Sequence, residues 1–212
     1  MKNSLKIIYD KLFAHYGDLK WWPGGSAYEI IVGAVLTQNC AWSNVEKAIA
    51  NFGERLSPEF VLSDDSGTLG EIIRPAGFFT RKAAYLKAVT EWFAKYDFSA
   101  EKIAEKSLHE IRAELLGVMG IGRETADSIL LYAAGLPTFV IDAYTKRLCG
   151  RFPISDETDY EKLKKLFEEN LPRDVFLYNN FHAAIVNLCK DFCRKKPLCG
   201  ECPLGGFCGK NI

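Results

Sequence analysis

Residues 116–126 read LGVMGIGRETA, and this short stretch decides the fold predicted for the chain. A helical pattern over 108–116 runs into a tight turn containing Gly120 and Gly122, and a second helical pattern begins at once and continues to Gly135. Glycine can adopt positive φ and leaves its amide groups uncovered. Uncovered amides at a helix start favour an anion, so the stretch predicts a phosphate-binding turn between two helices. Alone, the glycine pattern is more typical of an ordinary helix–helix connection.

The position of Asp142 adds a second argument. It follows Glu124 by eighteen residues, after one helix and the turn at Pro137, and it opens another helix in FVIDAYTKRLCGRF. We expect a carboxylate at that helix start to face the same cavity as the glycine turn. Asp142 is therefore a candidate member of the same site as the glycine turn.

Four cysteines lie close together near the end of the chain. Their spacing is C-x5-C-x2-C-x5-C, and they are Cys193, Cys199, Cys202 and Cys208. Clustered thiolates are ligands of iron–sulfur clusters and of structural zinc, and two disulfides are a further alternative. Structural zinc sites more often have two C-x2-C pairs, whereas this sequence has one. An iron–sulfur cluster is therefore favoured.

The composition is typical of an enzyme that works inside the cell. The chain of 212 residues has 27 basic and 27 acidic side chains, so its formal net charge is zero. No apolar run is long enough for a membrane span, and the amphipathic start lacks a signal-peptide core. Clustered cysteines with three further thiols fit a reducing cytoplasm. Nucleic-acid binding would need local basic clusters such as Lys190, Arg194, Lys195 and Lys196.

Helical periodicity runs through almost the whole sequence. Capping-box patterns predict helices that open at Ser26, Ser43, Ser107 and Thr158. Other helices are expected over about 80–95, 123–134, 142–150 and 174–190. The β-branched run at 138–141 is too short and isolated to make a sheet. The sequence therefore predicts an all-α fold of about ten short helices.

Four stretches in this order resemble the helix–hairpin–helix DNA glycosylase superfamily, and among its members endonuclease III and its relatives. They are AVLTQNCAW (34–42), GFFTRKA (77–83), MGIGRETADSILLYAAG with VIDAYTKRL (119–148), and the cysteine tail. The resemblance implies a two-lobed all-α fold with a C-terminal 4Fe-4S cluster loop. One lobe would be a six-helix domain over 25–136 containing the helix–hairpin–helix (108–134). The other would combine 1–24 with 137–212 and carry the iron–sulfur loop at 193–208.

The resemblance also implies roles for individual residues. Asp142 would be the catalytic aspartate, Gln38 would fill the gap left by a flipped nucleotide, and Phe78 with Phe79 would form the minor-groove wedge. The amides of the two turn glycines and the basic residues near the cysteines would hold backbone phosphates. The four cysteines would hold a 4Fe-4S cluster. The implied partner is damaged double-stranded DNA, bound by a monomer in the cytoplasm on the nucleoid, with no membrane involved.

Two positions depart from endonuclease III. Members that also cut the strand carry a lysine just after the hairpin, whereas this chain has Glu124, which cannot form a Schiff base. Lys146 lies nearby in sequence and could in principle substitute. The first cysteine spacing is one residue shorter than in endonuclease III. The alternative ligand Cys189 would give C-x9-C, a larger departure, so Cys193 is retained.

Glu124 and the aromatic residues near the start resemble a monofunctional branch of the superfamily, 3-methyladenine DNA glycosylase III. In that branch a tryptophan–proline element and a second aromatic residue enclose an alkylated purine. The resemblance implies a base pocket with the members Trp22, Pro23, Trp42 and Glu124. The alternative is that these tryptophans only pack against the fold. Lys190 stands where that branch has a modified lysine.

The predicted function is excision of a damaged base, such as an alkylated purine, without strand cleavage. One alternative is a bifunctional endonuclease III-like glycosylase and AP lyase acting on oxidised pyrimidines. Others are a glycosylase for a mismatched or deaminated base and a non-enzymatic helix–hairpin–helix DNA-binding module. Four further residues are interpreted as structural, namely His15, His109, His182 and Tyr144.

Overall fold

Every regular element in the described part of the chain is a helix. The computed structural model describes residues 2–22, 24–65, 67–152 and 154–209, and no β-strand occurs among them. The predicted all-α class is therefore confirmed, and the β-branched run at 138–141 lies between helices. Pro23, which was predicted to contact the extruded base, lies outside the described residues.

The chain forms two compact units, one made of Met1–Trp22 with Pro137–Ile212 and one made of Pro23–Leu136. We call them the terminal unit and the central unit. The central unit contains α2 (Ala27–Leu36), α3 (Trp42–Phe52), α4 (Pro58–Ser63), α5 (Thr68–Ile72), α6 (Phe79–Ala94), α7 (Ala100–Ala104), α8 (Leu108–Leu116) and α9 (Arg123–Ser128). Short 3₁₀ helices at Gly53–Arg55 and Arg74–Ala76 connect neighbouring helices.

The core of the central unit forms around α2. The sequence of α2, AYEIIVGAVL, is almost entirely apolar, and Ile31 and Val35 are fully buried. Leu86 and Trp92 of α6 and Ile129 after α9 join the same core. Burying each such side chain contributes about 1.5–3 kcal/mol. This shared core fixes the starts of α6 and α9, where predicted DNA-binding residues lie.

The terminal unit contains α1 (Lys2–Tyr16), α10 (Ala143–Arg151), α11 (Tyr160–Asn170) and α12 (Val175–Asp191). α12 is its central helix, with α1 and α10 packed against it. Phe139 stacks on Phe167 with ring centroids 4.3 Å apart, and its ring also meets Tyr178 and Phe181 edge-on. Phe139 thus anchors the segment that ends in Asp142.

Two of the predicted helix starts are confirmed. Ser26 caps α2, where its hydroxyl accepts a hydrogen bond from the Glu29 amide at 3.1 Å. Ser107 caps α8 in the same way, accepting from the Glu110 amide at 3.3 Å. These bonds satisfy amides that the first helical turn leaves unpaired.

The other two predicted helix starts are wrong. α3 begins at Trp42, because the turn at 37–40 leaves Ala41 extended, and Ser43 therefore lies inside the helix. α11 begins at Tyr160 because Asp159, rather than Thr158, accepts from the Lys162 amide at 3.0 Å.

The helix predicted over 123–134 is present but is not regular throughout. α9 continues into a π-helical turn at Ile129–Ala133, and the Ala134 amide donates to the Ile129 carbonyl at 3.2 Å. Gly135, with φ +63°, ends the helix. π-helical turns of this kind are frequent at functional sites.

Candidate functional site

The hairpin, residues 117–122 between α8 and α9, is tightly packed around Gly120. Gly120 has φ +80°, and a Cβ added there would lie 2.2 Å from ring atoms of Tyr85. Only glycine fits this position. Gly122 differs, since it has an extended backbone with φ −89° and begins α9 without a side-chain cap. Its position leaves the first amides of α9 without a capping side chain.

A buried ion pair joins the two helices of the hairpin. Arg112 on α8 donates from Nε to Oδ1 of Asp127 at 2.8 Å and from Nη2 to Oδ2 at 3.0 Å. Asp127 on α9 is fully buried and the Arg112 side chain is 16% exposed. The paired bonds fix the angle between the helices more strictly than one bond would. This pair was not predicted from the sequence, although Asp127 interrupts an apolar stretch.

Gln38 is hydrogen-bonded to the hairpin and to the start of α9. Its Nε2 donates to the Gly120 carbonyl at 2.9 Å and to Oγ1 of Thr125 at 3.0 Å. These bonds bring the segment 37–40 and the hairpin together within the central unit. Two stretches that the sequence marked separately as DNA-binding therefore form one continuous surface.

Phe78 and Phe79, predicted together as a wedge, have different environments. Phe78 is 59% exposed and has φ +48°, directly after Gly77 with φ +69°. Phe79 begins α6 and packs partly against the core. A left-handed backbone at a non-glycine residue costs about 1–3 kcal/mol and is concentrated at functional sites. Phe78 is therefore the better candidate for insertion into DNA.

Lys82 connects the segments that precede Gln38 and Phe78. Its Nζ donates to the Leu36 carbonyl at 2.7 Å and to the Ala76 carbonyl at 2.8 Å, and the residue is 2% exposed. Burial lowers the pKa of this amine. The role of Lys82 was not predicted, because a lysine in an amphipathic helix is normally interpreted as solvent-exposed.

Lys82→Met should destabilise the central unit, because it removes the partner of two buried carbonyls. We expect a loss of about 1–3 kcal/mol for each carbonyl left unpaired. Urea unfolding followed by circular dichroism measures it. Lys95→Met, at the exposed end of the same helix, is the control and should unfold like the wild type. Equal stability of the two variants would show that water replaces the amine.

Asp142 begins α10 in the terminal unit, as the sequence predicted. Its Oδ1 accepts a hydrogen bond from the Thr145 amide at 2.7 Å, and its Oδ2 lies 3.5 Å from Nε2 of His182. Burial acts to raise the pKa of the Asp142 carboxyl. The nearby His182 side chain and the hydrogen bond from the Thr145 amide outweigh burial and hold that pKa below its usual range. The carboxylate is therefore ionised at neutral pH.

His182, interpreted from the sequence as a structural residue, lies on the buried face of α12 against Asp142. The available signal was its place in FHAAIV, where a titratable side chain interrupts an apolar stretch.

The four tail cysteines line one cavity of about 30 Å³, together with Arg151. Arg151 donates from Nη1 to the Cys193 carbonyl at 3.2 Å and approaches the Cys193 thiol at 3.4 Å. Cys189 is buried in α12 and donates to the Tyr144 carbonyl, so Cys193 is better placed as a ligand. Four thiols around one cavity fit a metal cluster, although no three His, Cys, Asp or Glu side chains in the described ranges are positioned to hold a single metal ion.

The predicted basic cluster lies on the surface of the terminal unit. All of its members are exposed: Lys190, Arg194, Lys195 and Lys196. Arg151 also donates to the Lys195 carbonyl at 3.2 Å, which fixes the backbone that carries three of these cations. Basic side chains on a fixed loop suit contacts to phosphates.

The residues predicted to contact the extruded base lie in different units. Trp22, in the terminal unit, meets Trp21 edge-on at 6.3 Å, and Lys190 Nζ lies 5.8 Å from the Trp21 ring. In the central unit Trp42 opens α3 and packs partly against the core, while Glu124 is exposed in the first turn of α9.

Across the residues that the structure describes, no helix is long and apolar enough to cross a membrane.

Comparison with known proteins gives consistent matches along the chain. The family model described as "HhH-GPD superfamily base excision DNA repair protein" matches residues 32–173. "Putative DNA repair glycosylase MJ1434" of Methanocaldococcus jannaschii is 47% identical over 206 residues, which cover 95% of this chain and 94% of that protein. Endonuclease III of Sulfolobus acidocaldarius is 26% identical over 188 residues, covering 86% and 82% respectively.

Solved structures show the same fold. The 3-methyladenine DNA glycosylase of H. pylori bound to 1,N6-ethenoadenine has a TM-score of 0.75 at 27% identity, covering 89% of this chain and 96% of that chain. A trapped endonuclease III–DNA covalent intermediate has a TM-score of 0.82 at 19% identity, covering 99% and 96%. The second match, at its low identity, establishes the fold alone.

Proposed function

Because the chain belongs to the HhH-GPD superfamily of base excision DNA repair proteins, we propose that it is a monofunctional DNA glycosylase. The observation that carries the proposal is a buried carboxylate, Asp142, held ionised at a helix start. The position after the hairpin holds Glu124 instead of an amine, so the chain lacks the usual nucleophile for strand cleavage. The proposed substrate is an alkylated purine flipped out of double-stranded DNA.

The proposed reaction breaks the bond between the base and its sugar. Positive charge develops on the sugar as the base leaves, and the Asp142 carboxylate stabilises that charge and orients the attacking water. A purine nucleotide methylated at a ring nitrogen such as N3 or N7 is cationic, and its base leaves without being protonated, so that reaction needs no general acid. One carboxylate is therefore sufficient for the chemistry.

DNA is held mainly by the central unit in this proposal. The amides of Gly120 and Gly122 bind a backbone phosphate, Phe78 enters the base stack, and Gln38 occupies the space left by the flipped nucleotide. Phe79 supports the wedge from the core side. The basic cluster of the terminal unit contacts further phosphates. We propose that the protein acts as a monomer on chromosomal DNA in the cytoplasm.

Trp22, Pro23, Trp42 and Glu124 are the proposed contacts to the extruded base. An indole face attracts a cation by about 0.5–2 kcal/mol, more when the pair is desolvated, so tryptophan favours a methylated purine over a neutral one. The matching H. pylori glycosylase, bound to a modified adenine, supports a purine substrate class.

We propose that Cys193, Cys199, Cys202 and Cys208 hold a 4Fe-4S cluster. Such a cluster, when bound, supplies four iron–thiolate bonds that cross-link the loop. Arg151 holds the loop from the side of α10 and keeps the cationic residues oriented outward. The cluster has a binding role in this proposal and no part in bond cleavage.

A panel of duplexes, each with one lesion, tests the substrate class. Released base and strand breaks are scored separately on alkylated purines, oxidised pyrimidines, deaminated bases and mismatches. Release limited to alkylated purines supports the proposal, and release from another class alone overturns the substrate assignment. Binding to every duplex with no base released from any would favour a DNA-binding module.

Borohydride should fail to trap a covalent adduct between the protein and lesion-bearing DNA. Glu124 cannot form a Schiff base, so abasic product should accumulate until alkali cleaves it. Denaturing gels with and without borohydride measure this, with an endonuclease III as the positive control. Efficient trapping that is lost in Lys146→Ala would instead establish a bifunctional enzyme with a different nucleophile.

A further inference from the structure

His182 lies beside Asp142 within the terminal unit. Its Nε2 is 3.5 Å from Oδ2 of the carboxylate, and the side chains of His182 and Asp142 are 7% and 12% exposed. The other oxygen, Oδ1, accepts the Thr145 amide at 2.7 Å. Each carboxylate oxygen therefore has its own neighbour, one from α10 and one from α12.

The electrostatics of the pair depend on His182. Burial alone would favour the neutral form of Asp142. Two influences oppose burial: the His182 ring, with Nε2 3.5 Å from the carboxylate, acts through electrostatic attraction, and the Thr145 amide acts through a hydrogen bond. Without His182, burial would be opposed by that hydrogen bond alone, and the carboxyl would keep its proton to a higher pH.

Other titratable groups packed around α12 make different contacts in the part of the chain described. On α1, the Tyr9 ring packs against Phe181 of α12, and the Tyr16 hydroxyl donates to Asp191 at the end of α12. From α10, Arg147 donates to a carbonyl beyond the end of α12. On α12 itself, Cys189 donates to the Tyr144 carbonyl, and its thiol also interacts electrostatically with Asp142. Among the described residues, His182 is thus the basic side chain that lies against that carboxylate.

We propose that His182 is a positioning residue that keeps Asp142 ionised and fixes the direction of its Oδ2. The inference rests on the proposed glycosylase function and adds a pH limit to it. The carboxylate stabilises a sugar cation only while ionised. Because its pKa is depressed, excision is lost only as the pH falls through that low value, and His182 sets where this happens.

The pH dependence of single-turnover excision tests the inference. In His182→Ala, the pH at which the excision rate falls on the acidic side should rise by about one unit. An opposite charge near a carboxyl lowers the pKa of that carboxyl by about this amount, and the variant removes it. His182→Gln keeps a hydrogen-bond donor without the charge. At high pH its excision rate should be close to that of the wild type, but on acidification it should lose activity at a higher pH than the wild type does. His109→Gln, on the exposed face of α8, should match the wild type. If both His182 variants lose activity at the same acidic pH as the wild type, the proposal is overturned. This holds even if their rates are lower than the wild-type rate by the same factor at every pH.

A titration independent of activity separates this inference from the function. The carboxyl carbon of Asp142 is followed by NMR in protein labelled with ¹³C-aspartate, and its signal is assigned by its loss in Asp142→Asn. The midpoint should rise in His182→Gln, whose fold is checked by circular dichroism. An unchanged midpoint overturns the inference. A wild type that excises no base while the midpoint still shifts overturns the proposed function alone.

Discussion

Asp142→Asn should lower the single-turnover rate of base excision by about a hundredfold to a thousandfold or more, which corresponds to about 3–4 kcal/mol of lost transition-state stabilisation. The substitution removes the negative charge that faces the developing sugar cation. Binding of lesion-bearing DNA should be retained or slightly tightened, because a charge of the same sign as the phosphates is lost. Anisotropy with labelled duplex measures binding, and released base measures the rate.

Asp174→Asn is a matched control for that experiment. Asp174 caps α12 as Asp142 caps α10, and its Oδ1 accepts from the Leu177 amide at 2.7 Å. Asparagine caps a helix about as well as aspartate, so neither variant should unfold. The control should excise like the wild type. Near-full activity of Asp142→Asn would remove the central residue from the proposed mechanism.

Cys199→Ser should abolish the iron–sulfur cluster. The wild-type protein should be yellow-brown, with about four irons per chain and a broad absorbance near roughly 400 nm from thiolate-to-iron charge transfer. The variant should lose the colour and the iron, and limited proteolysis should cut the loop at 193–208 much faster. Loss of the loop's order should also weaken DNA binding, since three exposed cations are attached to it.

Cys40→Ser is the control for the metal experiment, because Cys40 belongs to the central unit and not to the cysteine-lined cavity. It should keep the iron content and colour of the wild type. A colourless wild-type protein with one tightly held zinc would contradict the cluster assignment and leave the glycosylase proposal intact.

The helical fold could be predicted from the sequence because its signals are local. Apolar periodicity and the caps at Ser26 and Ser107 each involve residues within one or two turns. The helix starts predicted at Ser43 and Thr158 are wrong because neighbouring residues determine them. Extended backbone at Ala41 starts α3 at Trp42, and Asp159 caps α11 in place of Thr158.

The site was predicted less completely, because its supporting contacts join residues far apart in sequence. Lys82 reaches a carbonyl 46 positions away, and the chain passes through all of α10 and α11 between Asp142 and His182. No local pattern indicates that such side chains are buried together. Asp142 and the hairpin glycines were identified through their spacing and a family resemblance, and their roles remain predictions.

The left-handed backbone at Phe78 has a consequence for evolution and for engineering. A glycine there would relieve the strain and is expected to raise the stability of the DNA-free protein by roughly 1 kcal/mol. Selection for thermal stability alone would therefore remove the aromatic ring that is proposed to enter DNA. If phenylalanine persists at a position where glycine would give a more stable protein, insertion into DNA rather than folding determines the residue at this turn.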